Sequence, residues 1–565
     1  EYAKKYRVQY YEPYNEPECA ASALGLNAHT NLNNPTGIFS GDREAIYVMV
    51  EGAVETGASL YLSSYTGNGK LGGYRDGYEL KQGLNIIPAY GAGNNFCINY
   101  VVHTFDTSKG KGNKAKAYKL SEFSDLKIHI EGGYINGYWN KMGDYRKTGS
   151  DVLYTPDDDS DWQYLEERAT QTTVTVLGEY ITLQFPLLDK DAVEENGTQR
   201  KGLASYYNDQ VSITASIQEW DNVMLWERFL LGVATKETTT GAKNVKSPYS
   251  ESNHVVEYTG DDGDDFAADY GDHYNVHGLS YGIPNSYMYG SWDHCGYNYN
   301  TMQSIIVDML ESAGSHWGPG HEIGHQHQGI FNMRGLTEVT NNLFSNVVLW
   351  YFGETTSRVN GSEGSLSNVL AAYNTEGSDF FTNNIWAQTH MYYKMFLYYH
   401  VLGHNPKFYP RLFEMLRQDP MNIRYEQSGA ESLLHFYKKC CYASGEDLTE
   451  FFRAYGFFRV MTDRFVGDYS NAVYNQTQAE IDAAIKEIKD WATANPNVKE
   501  NIAVLFINDA TGETIKSHKG DNLSLYGETT ICAEVGSYAT FNNPTNATGY
   551  ECSLSGNTAT MNGNG

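Results

Sequence analysis

A chain of 565 residues is too long for one ordinary core and is expected to divide into about two to four domains. Hydrophobic residues at 41% and aromatics at 14% can fill such cores, and no run of about eighteen apolar residues suggests a membrane span. A formal net charge of −28 argues against a general nucleic-acid binder, which needs a basic surface for phosphates, and against direct attachment to anionic lipid.

The chain opens at Glu1 in a charged, Tyr-rich segment with no signal segment, and reads as a mature or trimmed form. Short runs such as Ala45 to Val50, Leu60-Tyr61-Leu62 and Leu80 to Pro88, separated by Gly- and Asn-rich turns, predict an all-β, sandwich-like module up to about residue 105. Such a module is either an accessory binding platform or a structural flank. The Lys- and Gly-rich stretch Ser108 to Lys114 reads as an exposed basic linker that closes this part near residue 120.

From about residue 125 the pattern becomes mixed. Lys127-Ile128-His129-Ile130 alternates as a half-buried strand does before a turn at Gly132-Gly133; His129 is better read as facing solvent than as a metal ligand. Two acidic runs, Asp157 to Asp161 and Asp261 to Asp272, lack helix-loop-helix calcium spacing and read as solvated loops, with calcium as the alternative. Glu219 to Trp226 begins a helical pattern, Gly278 to Pro284 and Ser286 to Tyr289 read as extended chain, and Met302 to Ser312 is predicted as a helix.

The most informative stretch follows: Trp317-Gly318-Pro319-Gly320-His321-Glu322-Ile323-Gly324-His325-Gln326-His327-Gln328. On a helix, His321 and His325 lie one turn apart on one face and can reach one metal ion, while Glu322 beside them can manage the proton of an attacking water. This reads as a zinc hydrolase centre. Catalytic zinc commonly takes three protein ligands, and Glu338, thirteen positions after His325, is the choice for the third if the first helix ends around Gly329 or Gly335. A third histidine six residues on is excluded, because Phe331 stands there. His327 should point away from the ligand face. Gly324 inside the helix suggests the close approach of another backbone or a substrate. The extended segment before the helix is a candidate edge strand for pairing with a substrate backbone, or else an ordinary surface strand.

Beyond Glu338, Leu343 to Phe352 predicts a buried helix. Trp386, His390 and Lys394 recur at helical spacing, better read as core packing than as a wall that binds sugar and an oxyanion. Phe408 to Leu416 is helical, Asp447 with Glu450 looks like a helix cap, and Thr477 with Glu480 forms a capping-box pattern before Ile481, Ile485 and Ile488. After about residue 500, Ile502 to Ile507 reads as strand within a small β-module, open to being incomplete at Gly565. The seven cysteines show no Cys-x-x-Cys spacing; Cys532 and Cys552 could pair in an oxidising compartment, with free thiols as the alternative. The 46 tyrosines, mixed with Gly, Asn and Ser, are compatible with sugar contact or simply with Tyr-rich strands.

The run from Trp317 to Gln328, with Thr337-Glu338-Val339-Thr340-Asn341-Asn342-Leu343 after it, resembles the enhancin-like zinc metallopeptidases, family sixty of the metallopeptidases, many of which act on mucins. Asn34 to Ile38, Lys127 to Gly133 and Gly445 to Phe452 extend the likeness over roughly residues 30 to 460. The resemblance implies His321, His325 and Glu338 as ligands of Zn2+, Glu322 as catalytic carboxylate, and an O-glycosylated, mucin-type substrate. The expectation is an α+β multidomain chain. A zincin-type, mostly helical catalytic domain at 121–498 is flanked by β-sandwich-like modules at 1–120 and 499–565, in a secreted or cell-surface gluzincin. The alternative is a glycan-binding surface protein with a non-catalytic metal site.

Overall fold

The computed structural model describes residues 2–26, 34–41, 44–65, 77–88, 95–103, 118, 122–141, 157–169, 173–186, 188–193, 199–201, 207, 211–232, 278–281, 287–291, 294–354, 359, 375–382, 384–421, 430–469, 471–507, 523–526, 529–531, 551–555 and 558–562. The linker at 108–114, the acidic run at 261–272 and Cys532 lie outside the described residues. The chain divides into two units: Glu1–Phe229, Val233–Asn253 and Thr259–Gly329 in the first, and Leu230–Gly232, His254–Tyr258 and Ile330–Gly565 in the second.

The first unit opens with two helices, α1 (Tyr2–Arg7) and α2 (Pro17–Leu24), where an all-β run was expected. Pro17 presets the first turn of α2, and Gly25 ends it in the left-handed conformation at φ 73°, its N–H donating back to Ala21 and Ser22 carbonyls. Six and eight residues are too few for helical periodicity to stand out from the surrounding strands.

Ten strands are present, with β4, β5 and β7 at the short runs expected: β1 (Val8–Tyr11), β2 (Tyr14–Asn15), β3 (Asn34–Phe39), β4 (Ile46–Glu51), β5 (Ala58–Tyr65), β6 (Gly77–Glu79), β7 (Gly83–Ile87), β8 (Asn95–Val102), β9 (Leu126–Glu131) and β10 (Tyr134–Ile135). They form one sheet in the order β1-β9-β4-β7 and another in the order β10-β3-β8-β5-β6, with β2 beside β8. Burial alternates strictly along β4, so Ile46, Val48 and Val50 face inward and the residues between them face out. These side chains join Ile128 and Ile130 of β9 and Leu60, Leu62 and Ile98 of the second sheet in a single core cluster. Each such aliphatic side chain contributes roughly 1.5–3 kcal/mol when fully buried. Strand β9 forms where alternation predicted it and lies between β1 and β4, so this sheet draws strands from both sides of residue 120. His129 is half-exposed on it and pairs with Glu131 at 2.7 Å.

A third sheet takes β11 (Trp139–Asn140), β12 (Thr173–Leu177), β13 (Thr182–Pro186), β16 (Gly278–Tyr281), β17 (Met288–Gly290) and β18 (His294–Tyr297) in the order β11-β12-β13-β16-β18-β17; β14 (Leu188–Val193) and β15 (Gln199–Lys201) make a separate hairpin. The extended segment before the metal helix is therefore split. Its first part, β16, is held between β13 and β18, and only β17 is an edge. The first acidic run starts a helix: Asp158 and Asp161, both exposed, form a capping box at the head of α3 (Asp159–Glu166), and Asp157 alone is buried, against Lys5. Helix α4 (Ile213–Leu231) is buried all around from Glu219 onward, consistent with its apolar residues and few charges. Helix α5 (Tyr299–Asp308) is capped by Asn298 and ends four residues short of the expected Ser312. Helix α6 (Trp317–His327) closes the unit.

The second unit includes α7 (Thr337–Tyr351), buried from Val339 onward, in keeping with the apolar run at Leu343 to Phe352. It continues through α8 (Ile385–Phe396), α9 (Phe408–Gln418), α10 (Ala430–Ser444) and α11 (Thr449–Ala454) to a hairpin of β19 (Met461–Val466) and β20 (Ala472–Gln476), then α12 (Gln478–Ala494). The Thr477–Glu480 capping box forms as read. The proposed Asp447–Glu450 box does not: Asp447 binds the backbone of Thr449 and the Lys489 ammonium, while Glu450 pairs with Arg453. Ile502 to Ile507 is not a strand but a 3-10 turn, Ala503–Phe506, because Val504 and Leu505 are buried against the helices instead of pairing with a strand, and Asn501 holds the Ala503 N–H at 2.8 Å. Two hairpins lie in the C-terminal stretch, β21 (Leu523–Tyr526) with β22 (Thr529–Ile531) and β23 (Glu551–Ser555) with β24 (Thr558–Asn562).

Candidate metal centre

Helix α6 follows a 3-10 turn, Ala313–His316, and tolerates Pro319 because that residue lies in the first turn, where its missing N–H has no intrahelical partner. Its chain of rings is ordered. The Trp317 indole stacks on His321 at 4.5 Å, and the His321 and His325 rings meet edge to face at 4.9 Å. These are the one-turn and four-residue neighbours of a helix face, as the spacing required. Glu322 is 2% exposed, on the same helix. Gln328, the C-cap, places its side-chain nitrogen 2.9 Å from His325 Nδ1. An amide turned so that its oxygen accepts from Nδ1–H would leave Nε2 with a lone pair for a metal.

Glu338 sits in the first turn of α7. The turn before it is set by Gly335 at φ 81°, and the Tyr474 hydroxyl donates to the Arg334 carbonyl at 2.7 Å. Leu336 offers no side-chain cap. Instead the Asp468 carboxylate, from the β19–β20 turn, accepts the N–H groups of Thr337 and, at 3.3 Å, of Glu338 itself.

Among the described residues, one group of three or more His, Cys, Asp or Glu side chains brings ligand atoms together: His321, His325 and Glu338, all within 4.8 Å of one another. Two imidazole nitrogens and a carboxylate oxygen are the borderline donor set that zinc takes, at about 2.0–2.2 Å each. The observed spacing is slightly wider than a closed zinc site needs, a difference that side-chain torsions can take up. His321 is buried and the other two are half-exposed, so the group combines a fixed base with access from solvent.

A close backbone approach to α6 is made at Gly290 in β17. A Cβ on Gly290 would lie 2.8 Å from His325 Cβ and 2.9 Å from the Glu322 carbonyl oxygen. The edge strand thus runs directly against the helix that carries the motif. His327 points away from the ligand face, as its spacing required, and its Nδ1 lies 2.7 Å from Glu227 on α4. Burial lowers its pKa to about 3, helped by the charge of Arg228, and burial raises that of Glu227 well above the ordinary carboxylate range. The Tyr297 phenol is held well above its usual value by burial first, then by Cys295, Glu322 and Glu227.

The Trp386–His390–Lys394 stripe is core. All three are buried, His390 Nδ1 lies 2.7 Å from the Tyr455 hydroxyl, and Lys394 donates to the Ile507 carbonyl. Asp468, Glu219, Glu227 and Gly290 are the supporting residues that sequence reasoning missed. The first three act across 97 to 131 positions of chain, with no local pattern to mark them.

A His-Glu-x-x-His helix followed by a helix that brings in a carboxylate is an arrangement suited to a metallopeptidase, and the comparisons support that class. Residues 251–456 match the sequence profile of the family described as Peptidase M60, enhancin and enhancin-like, a match that supports the resemblance to the enhancin-like M60 family over that segment. The fold is similar to that of a solved metallopeptidase in complex with Tn antigen, at 22% identity and a TM-score of 0.66, covering 99% of this chain and 90% of that one. A metallopeptidase from Bacteroides thetaiotaomicron matches at 20% identity and a TM-score of 0.66, over 99% of this chain and 81% of the other. The M60 catalytic domain of Clostridium perfringens ZmpC, in complex with the sialyl T antigen, matches at 13% identity and a TM-score of 0.54, over 98% and 88%. No curated protein matches the chain. Among the described residues, no helix is long and apolar enough to cross a membrane.

Proposed function

We propose that this chain is a secreted or cell-surface zinc endopeptidase of the gluzincin type that hydrolyses peptide bonds in O-glycosylated, mucin-type proteins. The observation that carries the reading is the convergence of ligand atoms from His321, His325 and Glu338 within 4.8 Å. In this reading those three residues hold the ion, which when bound supplies Lewis acidity and draws the pKa of water down towards about 7. Glu322, next to His321 on α6, accepts the proton of the attacking water and returns it to the departing amine. Strand β17, an edge pressed against α6, offers its backbone to an extended substrate, a role narrower than the segment first considered. The likeness to structures that hold Tn antigen and sialyl T antigen supports an O-glycosylated substrate. The two N-terminal sheets act as a sandwich-like accessory module and the C-terminal hairpins as a second, smaller one.

The test uses zinc-loaded protein with a mucin and with the same mucin stripped of O-glycans, followed by mass spectrometry of the new termini. New termini are expected from the intact mucin only, and none from a Glu322→Gln variant that still holds the ion. Undiminished cleavage by that variant would overturn the assigned role.

A further inference from the structure

We infer that α4 is a positioning element for the metal helix, acting through Glu219 and Glu227; the inference rests on the metal-centre reading above. Glu219 Oε2 lies 3.2 Å from His316 Nε2, and Glu227 Oε2 lies 2.7 Å from His327 Nδ1. His316 immediately precedes α6 and His327 is its last residue, so the two pairs bracket the segment that carries His321, Glu322 and His325. Eight positions apart on α4, the two carboxylates are about 80° apart around the helix and emerge on one side of it. Side-chain exposure is 0% and 5% in the first pair and 1% and 0% in the second, so both are dry.

Helix α4 is itself anchored. Asp221 accepts from Lys141 Nζ at 2.6 Å and from the backbone N–H groups of Glu179 and Tyr180 at 3.0 and 2.7 Å, in the turn between β12 and β13. In that turn a Cβ on Gly178 would come within 2.5 Å of Asp221 Oδ1, so the backbone is seated directly on the carboxylate. The chain of contacts therefore runs from the third sheet through Asp221 to α4, and from Glu219 and Glu227 to the two ends of α6.

Stability alone is a poor reason for this arrangement, because well-packed apolar residues commonly match or exceed buried polar pairs. What a hydrogen bond adds over an apolar contact is direction. The His316 ring is fixed from both sides, since its Nδ1 also lies 3.0 Å from the Ala313 carbonyl. Two directed contacts at opposite ends prevent α6 from turning about its axis or sliding along it. A turn of only about 10–20° would misdirect two imidazoles meant for one ion. Glu219 and Glu227 are therefore positioning residues, not catalytic ones.

The experiment compares wild type with Glu227→Gln, which keeps a hydrogen-bonding partner for His327, and with the double variant Glu227→Leu and His327→Phe, which fills the same space without direction. Zinc affinity is read by competition with a chromophoric chelator, coordination by the visible spectrum of the cobalt-loaded protein, and folding by thermal melting. The double variant should melt cooperatively yet bind zinc about 10–100-fold more weakly, with altered cobalt bands and a reduced kcat at similar KM. Glu227→Gln should stay within about threefold of wild type. Wild-type affinity and cobalt bands in the double variant would overturn the clamp and leave the peptidase reading standing. A wild type that binds zinc but cleaves nothing would overturn that reading, while the affinity and spectra still decide the clamp.

Discussion

Replacing Asp468 by Ala removes the carboxylate that accepts the first two N–H groups of α7, the helix that presents Glu338. Losing a helix cap costs about 0.5–2 kcal/mol, and losing a negative charge at a helix N-terminus costs a further 0.3–1 kcal/mol or so. The sum is about 1–3 kcal/mol, which at roughly 2–4 °C per kcal/mol for a unit of this size lowers Tm by about 2–12 °C. Asp468→Asn keeps an oxygen acceptor and should lose only the smaller, charge-dependent part. The same change should weaken metal binding, because the frayed turn contains Glu338 itself. Differential scanning calorimetry of the metal-free protein separates the two effects, and chelator competition then reads the second. If Asp468→Ala melts with wild type and holds zinc equally well, the borrowed cap does not position Glu338.

Gly290→Ala should be disproportionately damaging for one added methyl group, because its Cβ would press on His325 and the Glu322 carbonyl. A destabilisation of about 1–3 kcal/mol with a fall in kcat is expected, read by urea unfolding and mucin cleavage; wild-type behaviour would show that β17 can step back. A third prediction concerns pH. Burial, the largest influence on Asp157, raises its pKa to about 6 despite the Lys5 ammonium beside it. An acid whose folded pKa is raised favours the folded state below its unfolded value near 4 and loses that contribution as pH rises through about 6. The stability difference between wild type and Asp157→Asn should therefore shift by on the order of 1–3 kcal/mol between about pH 4 and pH 7, to the detriment of wild type at the higher pH. A constant difference across that range would refute the assignment.

What the sequence made legible was whatever leaves a local trace. The one-turn spacing of His321 and His325, the capping box at Thr477 and Glu480, and the alternation in β9 are patterns within a few residues, and each appears as read. The outward direction of His327 follows from the same helical geometry. Its partner did not, because Glu227 lies 100 residues away and its burial depends on packing that no spacing encodes. Strand order was hidden for the same reason: β16 and β17 are nearly adjacent in sequence, yet one is interior and the other an edge. Ile502 to Ile507 misled because its β-branched composition speaks only to local preference, whereas Val504 and Leu505 are captured by packing against helices. Asp447 and Glu450 show the complementary failure, a capping pattern whose acidic residues are claimed by Lys489 and Arg453.

In the proposed function one ion is held jointly by His321, His325 and Glu338. Crystals of zinc-loaded protein, measured on both sides of the zinc absorption edge, test it most directly. A single anomalous peak is expected at about 2.0–2.2 Å from a nitrogen of each histidine and from an oxygen of Glu338. A peak elsewhere, or one bound by the histidines with Glu338 turned away, would contradict it.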